Sequence, residues 1–229
     1  MDHPPGSVRV VARATAIIQD LPAERFLLTF HEEQGHFFLP GGKAKDRQGR
    51  DLTEIFAHPR QAGAYVDRLF AMNRESARDA GVREVWEEFQ KLEIVSPMRW
   101  KEAKKRFAIV SSPDAVKIVN PHDAQGVRYR PDVDTENVIL PCRMCLPRKW
   151  EGEIQALWKQ RDPRIWFASP GEIQVCLTTG LKEISPDVAR ILLRLGLIST
   201  PRERDSRESP ADREAEDSEE PVRSKIASA

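Results

Sequence analysis

Apolar residues along this chain fall into short runs that are separated by polar segments containing glycine and proline. A run that is rich in β-branched and aromatic residues predicts a strand with at least one buried face. The runs that predict strands are residues 8–18, 25–30, 36–39, 106–111, 116–119, 138–146 and 164–168. Pro40-Gly41-Gly42 is expected to end the third strand, and the polar stretch 43–60 is expected to be mostly loop.

Helical periodicity follows that polar stretch. Between residues 61 and 92, apolar side chains recur at steps of three and four positions, as on the buried face of a helix. The Asn73-Arg74 junction disfavours one unbroken helix, so we predict two helices with a break near 72–75. Ser169 and Ser185 each precede a proline and predict the N-caps of two further short helices.

Charge divides the chain into two unlike parts. The chain has 229 residues with 36 basic and 36 acidic side chains, and this neutrality gives no indication of nucleic-acid binding. Residues 201–229 carry six basic and nine acidic side chains, a net charge of −3, which leaves +3 for the preceding body. That segment also lacks aromatic residues and leucine, so we predict that 200–229 form a disordered charged tail.

Several classes of protein are not expected from this composition. No apolar run approaches the roughly 18 residues that a membrane span needs, and the first seven residues do not resemble a secretory signal. Three cysteines in a chain of this length do not predict a disulfide scaffold, so a cytoplasmic location is expected. Cys142 and Cys145 form a C-x2-C pair without a matching second pair, which leaves a zinc site and two thiols of one strand as alternatives.

The most informative chemistry lies between Glu75 and Glu88, in the sequence ESARDAGVREVWEE. On a helix, Glu84, Glu87 and Glu88 share one face within a single turn. Like charges placed in this way repel one another unless a cation lies among them, and hard divalent ions favour carboxylate oxygens. Arg83 is expected to pair with Glu75 or Glu87 and to hold the carboxylates in position.

This segment and the upstream turn LPGGK together resemble the signature of the Nudix hydrolase superfamily, G-x5-E-x7-R-E-U-x-E-E-x-G-U, in which U is a bulky aliphatic residue. The residues that match are Gly42, Glu75, Arg83, Glu84, Val85, Glu87 and Glu88. Residues 164–199 also resemble the last strand and final helices of many members. The resemblance implies an α/β fold, a Nudix-like α/β/α sandwich with a mixed β-sheet over residues 7–199.

Two departures from the signature are present. Between Gly42 and Glu75 lie 32 residues where the signature has five, so we predict an insertion at about 44–73. Apolar residues near its end predict a packed helix, and its role is open between a surface elaboration and a lid, specificity element or dimer contact. Gln90 also stands where the signature has glycine, so the helix is expected to continue to about Leu92.

The resemblance implies a metal-dependent pyrophosphohydrolase that cleaves a nucleoside diphosphate linked to another moiety. By position, Glu84, Glu87 and Glu88 would ligate Mg²⁺ or Mn²⁺, and Arg83 and Glu75 would support them as catalytic residues. The expected partner is a nucleotide-like small molecule, with no membrane, no indicated nucleic acid and a homodimer left open.

Phosphate binding and the general base are less closely defined. Gly41, Gly42 and Lys43 are the expected substrate-binding residues, because a glycine turn exposes backbone N–H groups next to a cation. The general base remains open between a helix glutamate and three loop candidates, which are Glu136, Glu151 and Glu153. The alternative function is a Nudix-like module that binds a nucleotide or protein and catalyses little.

Overall fold

The computed structural model describes residues 4, 6–20, 23–46, 48–71, 74–120, 133–179 and 183–199, with the backbone alone at 74–77, 120 and 176–179. All of these residues belong to one compact unit, Met1–Ser199. The predicted tail at 200–229 lies outside the described residues.

The described residues form a mixed α/β fold, as the sequence predicts. The strands are Val8–Ile17 (β1), Gln19–Asp20 (β2), Arg25–His31 (β3), His36–Phe38 (β4), Gly41–Lys43 (β5), Thr53–Phe56 (β6), Ala108–Ser111 (β7), Val116–Asn120 (β8), Asp134–Cys145 (β9) and Ile165–Ala168 (β10). The helices are Pro59–Phe70 (α1), Arg74–Lys91 (α2), Trp100–Arg106 (α3), Arg148–Lys159 (α4), Pro170–Thr179 (α5) and Pro186–Arg194 (α6). None of these helices combines the length and the apolar character that crossing a membrane requires.

The strands form two sheets, and the larger is mixed. Its two long central strands, β1 and β9, run parallel to each other. β5 and β6 pair antiparallel with the outer edge of β1, and β7 and β8 pair antiparallel with the outer edge of β9. In the smaller sheet β3 lies between β10 on one edge and β2 and β4 on the other.

Helices cover both faces of the larger sheet, because successive side chains of a strand point to opposite faces. Ala12 of β1 and Val138 of β9 lie in a buried cluster with Val66 of α1. The next residue of β9, Ile139, lies in a different cluster with Ile191 of α6. The central strands are therefore buried on both sides, which explains why they are apolar almost throughout.

The third predicted strand ends at Phe38, before Pro40-Gly41-Gly42, as expected, but the two glycines do not form the expected turn. Gly41 and Gly42 belong to β5, which pairs with β1 so that Gly42 lies opposite Ala14. A Cβ atom on Gly41 would lie 2.3 Å from the carbonyl oxygen of Ala14. The glycines therefore permit a close approach of two strands at this edge instead of turning the chain away.

The described residues of the predicted insertion include one strand of the larger sheet and one helix. Its residues 53–56, expected to be loop, form β6, whereas the predicted packed helix is confirmed as α1 with Tyr65, Val66 and Leu69 buried. The predicted division of 61–92 into two helices is also confirmed, although residues 72–73 of the expected break lie outside the described part. α2 ends at Lys91, one residue before the expected end.

Two helices lie where no helix was predicted. α3 contains the first residue of the predicted strand 106–111, so that strand begins only at Ala108. α4 follows β9 and buries Trp150 completely in a cluster with Phe89 and Phe107. α3 spans only seven residues, too few for helical periodicity to be recognised.

The predicted start of α5 is confirmed by a capping box. The backbone N and Oγ of Ser169 donate to Oε2 of Glu172 at 2.6 and 2.7 Å, and the backbone N of Glu172 donates to Ser169 Oγ at 3.3 Å. Ser169→Ala removes this cap, so we expect the free energy of unfolding to fall by about 1 kcal/mol. Thermal denaturation followed by circular dichroism measures the change. Glu172→Gln keeps an acceptor and should cost less, and an unchanged Tm in Ser169→Ala would refute a stabilising cap.

Candidate functional site

Helix α2 lies on the larger sheet and presents its glutamates beside β5. Val82, Val85 and Phe89 are buried in the cluster that also contains Cys142 of β9, as the predicted apolar face requires. The closest approach is at Gly81, where a Cβ atom would lie 3.1 Å from Cys142 Cβ. This packing fixes the height of the helix above the sheet.

Glu84 is a buried carboxylate that contacts the glycine strand. It is 8% exposed, and a Cβ atom on Gly42 would lie only 2.1 Å from its Oε2. Arg83 Nη2 donates to the other oxygen, Oε1, at 3.1 Å. Burial raises the pKa of Glu84 above its ordinary value, while the hydrogen bond and charge of Arg83 oppose that rise. A buried carboxylate beside a glycine strand makes Glu84 a candidate for a functional residue.

Glu88 connects the end of α2 to both sheets. The backbone N of Gly41 donates to Glu88 Oε2 at 2.8 Å, and the fully buried hydroxyl of Thr29 donates to Oε1. His31 Nε2 lies 3.2 Å from the same Oε1, but its orientation does not make a hydrogen bond. Donors from β3 and β5 therefore hold this carboxylate.

Glu87 is the most exposed of the three glutamates and lies between two cations. Arg83 Nε is 3.7 Å from its Oε1, and Lys45 Nζ is 3.6 Å from its Oε2. Arg83 thus bridges Glu87 and Glu84; Glu87 is one of its two expected partners, and Glu84 was not expected. Lys45 was not among the expected site residues, and two lysines of such similar spacing could not be distinguished from the sequence.

Lys43 is the expected substrate-binding residue that lies apart from the glutamates. Its Nζ pairs with Asp51 Oδ2 at 3.2 Å. Because side chains alternate along a strand, Lys43 points to the opposite face of the sheet from Gly42. The structure therefore brings Gly41 and Gly42 to the glutamates, and it brings Lys45 there in place of Lys43.

The remaining candidates are Glu75 and the three expected general bases. Glu75 belongs to α2, but its side chain lies outside the described part of the chain. The expectation that Glu136, Glu151 and Glu153 are loop residues is wrong, since Glu136 is in β9 and the other two are in α4. Glu153 accepts a hydrogen bond from the backbone N of Ser96 at 2.7 Å, which gives it a structural role.

No three His, Cys, Asp or Glu side chains among the described residues come close enough to form a metal-binding group. The C-x2-C pair places Cys142 in the core and Cys145 on the surface, both as free thiols. Burial raises the pKa of the Cys142 thiol to about 11, so it stays protonated at neutral pH. These observations favour two thiols of one strand over a zinc site, with Cys145 exposed.

A cleft lies beside the glycine strand, and Gly41, Gly42 and His31 are among its lining residues. Arg13 and Asn137 line it as well, and Arg13 Nε donates to Asn137 Oδ1 at 3.1 Å. Asn137 is 2% exposed, and its Nδ2 makes no hydrogen bond. Neither residue was predicted from the sequence, because Asn137 lies one position before the predicted strand 138–146 and Arg13 is one of two arginines in the predicted strand 8–18.

No family model matches the chain, and neither the curated proteins nor the solved structures include a significant match.

Proposed function

We propose that this chain is a metal-dependent pyrophosphohydrolase of the Nudix type, which cleaves a nucleoside diphosphate linked to another moiety. The observation that carries the proposal is the contact between the two halves of the motif. Gly41 donates to Glu88, 47 positions away in the sequence, and Gly42 lies against Glu84, even though an ordered insertion separates them. The proposed hydrolysis needs the glycines beside the glutamates. The 32 residues between Gly42 and Glu75, where the signature has five, do not by themselves guarantee this contact.

The finer description of the fold belongs to the same proposal. A mixed sheet with helices on both faces, and a glutamate-bearing helix packed beside a glycine strand, are what a Nudix-like α/β/α sandwich requires. The insertion extends the sheet by β6 and adds α1 without separating β5 from α2, since Glu84 and Glu88 both contact β5.

Mg²⁺ or Mn²⁺ is the cofactor that fits the residues present. Glu84, Glu87 and Glu88 offer the oxygen ligands that hard divalent ions prefer, and they would hold the ion. Arg83 and Lys45 already lie among these carboxylates, which supports the view that the position favours positive charge. The ion would offset charge on the phosphates and lower the pKa of an attacking water.

The residues around the glutamates have separate tasks in this proposal. Arg83 holds Glu84 and Glu87 in a fixed relation, because it contacts both. Thr29 and the backbone of Gly41 orient Glu88. Lys45 is a compact cation on the exposed side of the group, suited to bind a phosphate that approaches Glu87.

One observation favours the alternative, a binding module with little catalysis. Each of the three glutamates already has protein partners, and in this conformation they do not form a metal-binding group among the described residues. The two proposals therefore differ in whether a divalent ion displaces these partners.

Hydrolysis assays distinguish the two functions. The purified chain is incubated with nucleoside triphosphates, dinucleoside polyphosphates, nucleotide sugars, nucleotide coenzymes and capped RNA, with Mg²⁺, with Mn²⁺ or with a chelator, and the products are separated by chromatography. We expect at least one compound to be hydrolysed only when metal is present. We also expect Glu87→Gln to lower the rate about tenfold or more, because this substitution removes one ligand charge.

A matched control is available on the surface. Glu102→Gln removes an exposed carboxylate that pairs with Arg106 on α3, and it should leave the rate unchanged. Inactivity across the panel with both metals, or full activity of Glu87→Gln, would refute the enzymatic proposal. Binding of a nucleotide without any hydrolysis would support the alternative.

A further inference from the structure

An open cleft lies against the smaller sheet, and it shares no lining residue with the two clefts that border the glutamates or the glycine strand. Three partly exposed aromatic rings line it, Phe37 of β4, Trp166 of β10 and Trp158 of α4. Phe37 packs edge-on against Trp166, with 5.4 Å between the ring centroids. Trp158 packs in the same way against Phe167, at 5.9 Å. These ring contacts hold the two indoles in defined positions at the surface.

Two unpaired cations stand beside the rings. Lys159 and Arg161 also line the cleft, and both are exposed. Neither forms an ion pair with another described residue. The acidic residue of the described lining is Asp162, and Arg164 already neutralises it, because Nε and Nη2 of Arg164 donate to its two oxygens at 2.9 and 2.7 Å. The cleft therefore carries two positive charges that no described carboxylate offsets.

Arg161 occupies a backbone position at which glycine is the usual residue. Its φ is 57°, in the left-handed region that residues with a Cβ atom rarely adopt. The position closes α4, since the backbone N atoms of Arg161 and Asp162 donate to carbonyl oxygens of this helix at 2.9 and 3.0 Å. The strain of an arginine here is not offset by an ion pair within the described part of the chain. A strained residue that keeps a free guanidinium at a cleft points to a binding role for this group.

We propose that this cleft binds single-stranded nucleic acid. The bases stack on Trp158 and Trp166, and the phosphates pair with the two unpaired cations. Aromatic rings beside unpaired cations suit such a strand, because every base has a flat face and every nucleotide carries a negative charge. An acidic peptide would satisfy the cations but would leave the rings without flat partners. The formal net charge of zero does not oppose this binding, because the charges that act on the strand are local. The inference does not depend on the proposed hydrolysis.

Binding of short strands tests the proposal directly. Fluorescein-labelled oligouridine and oligodeoxythymidine, each of about ten nucleotides, are titrated with the full chain in the presence of a chelator, and anisotropy is measured. We expect at least one of them to bind about tenfold more tightly than a duplex of the same length or a polyglutamate peptide. With two phosphate contacts, the logarithm of the association constant should fall with the logarithm of the salt concentration with a slope of about −1.4. Equal or tighter binding of the duplex or of polyglutamate would overturn the proposal.

The cations are tested by variants that should fold. Arg161→Gly should leave Tm unchanged or raise it, because glycine relieves the left-handed backbone, and it should reduce the magnitude of the salt slope by about 0.7. Lys159→Ala should change the slope by the same amount. Lys105→Ala is the matched control, because Lys105 is another exposed lysine in the last turn of a helix and does not line the cleft. An unaltered slope in both cleft variants would overturn the proposal.

Trp158→Leu tests the stacking. Leucine keeps an apolar contact with Phe167 but has no flat face, so we expect the affinity to fall about tenfold while the salt slope is retained. Trp100→Leu is the matched control, since Trp100 is also partly exposed and packs against Trp86, outside the cleft. Unchanged affinity in a folded Trp158→Leu would overturn the assignment. If circular dichroism shows that this variant does not fold, the comparison of strands and the salt slopes decide.

The two proposals fail in different ways. Hydrolysis of a nucleotide compound without binding of single strands would leave the proposed function intact and overturn the inference. Binding of single strands at this cleft without hydrolysis of any compound would support the inference and remove the proposed function.

Discussion

Glu84→Gln should abolish most of the hydrolytic activity while making the folded chain more stable at neutral pH. The rate should fall about 10²–10³-fold, because glutamine keeps the shape of the side chain but removes a ligand charge. The stability should rise because Glu84 is 8% exposed, and its burial disfavours the charged form that neutral pH imposes. Steady-state hydrolysis and thermal denaturation of the same preparation measure the two effects.

The gain in stability has a defined dependence on pH. The pKa of Glu84 is raised in the folded state, first of all by burial. The favourable contribution of Glu84 to the free energy of unfolding is therefore fully present below the pKa that this residue has in the unfolded chain. It is lost as the pH rises through the higher pKa that Glu84 has in the folded chain. Glutamine does not titrate, so the difference in Tm between variant and wild type should vanish below about pH 4, where the carboxyl is protonated in both states.

Glu102→Gln serves as the control, since Glu102 is an exposed residue whose replacement should change neither activity nor Tm. A lower Tm of Glu84→Gln at neutral pH would contradict the argument, because it would mean that the partners of Glu84 stabilise the charged form more than burial opposes it. Undiminished hydrolysis would exclude Glu84 from the proposed set of metal ligands.

Alanine substitutions at the two glycines of β5 should affect different properties, stability at Gly41 and activity at Gly42. A Cβ atom on Gly41 would lie 2.3 Å from the backbone oxygen of Ala14, and neither strand can yield without breaking the pairing. We therefore expect Gly41→Ala to destabilise the chain by about 1–3 kcal/mol or more. At Gly42 the obstructing atom, 2.1 Å away, is the terminal oxygen of Glu84, which can rotate aside. Gly42→Ala should therefore fold but lose activity.

Thermal denaturation and hydrolysis assays on both variants separate these outcomes. Gly152→Ala and Gly171→Ala are suitable controls, because a Cβ atom at either position meets nothing within 4 Å. Full activity in Gly42→Ala would show that the position of Glu84 against β5 is not required. An unchanged Tm in Gly41→Ala would show that β5 pairs less closely with β1 than described.

Local patterns in the sequence predicted those parts of the molecule that depend on neighbouring residues. The strands at 25–30, 116–119 and 164–168, the division of 61–92 into two helices and the capping box at Ser169 all follow from periodicity or from a short motif. The apolar face of α2 was also predictable, because Val82, Val85 and Phe89 recur at helical spacing.

Features that depend on distant contacts were not predictable in this way. Gly41 and Gly42 end a strand in most sequences, and only their pairing with Ala14 and Thr15 shows that they form one. Lys45, which follows β5, and Thr29 of β3 reach the glutamates from outside α2, so no spacing within α2 indicates them.

The strand β6 has a consequence for how the site can come apart. Because β6 pairs with Val8–Val11 of β1, the chain that leaves the glycines returns to the same strand before it enters α1 and α2. The chain from β5 to β6 is therefore expected to unfold as one cooperative unit at the edge of the sheet. Its local unfolding would separate Gly41 and Gly42 from β1 and would remove the contacts between β5 and α2. Hydrogen exchange of the amides in β6 should report the opening of the site, and shortening this segment should act on metal affinity as well as on stability.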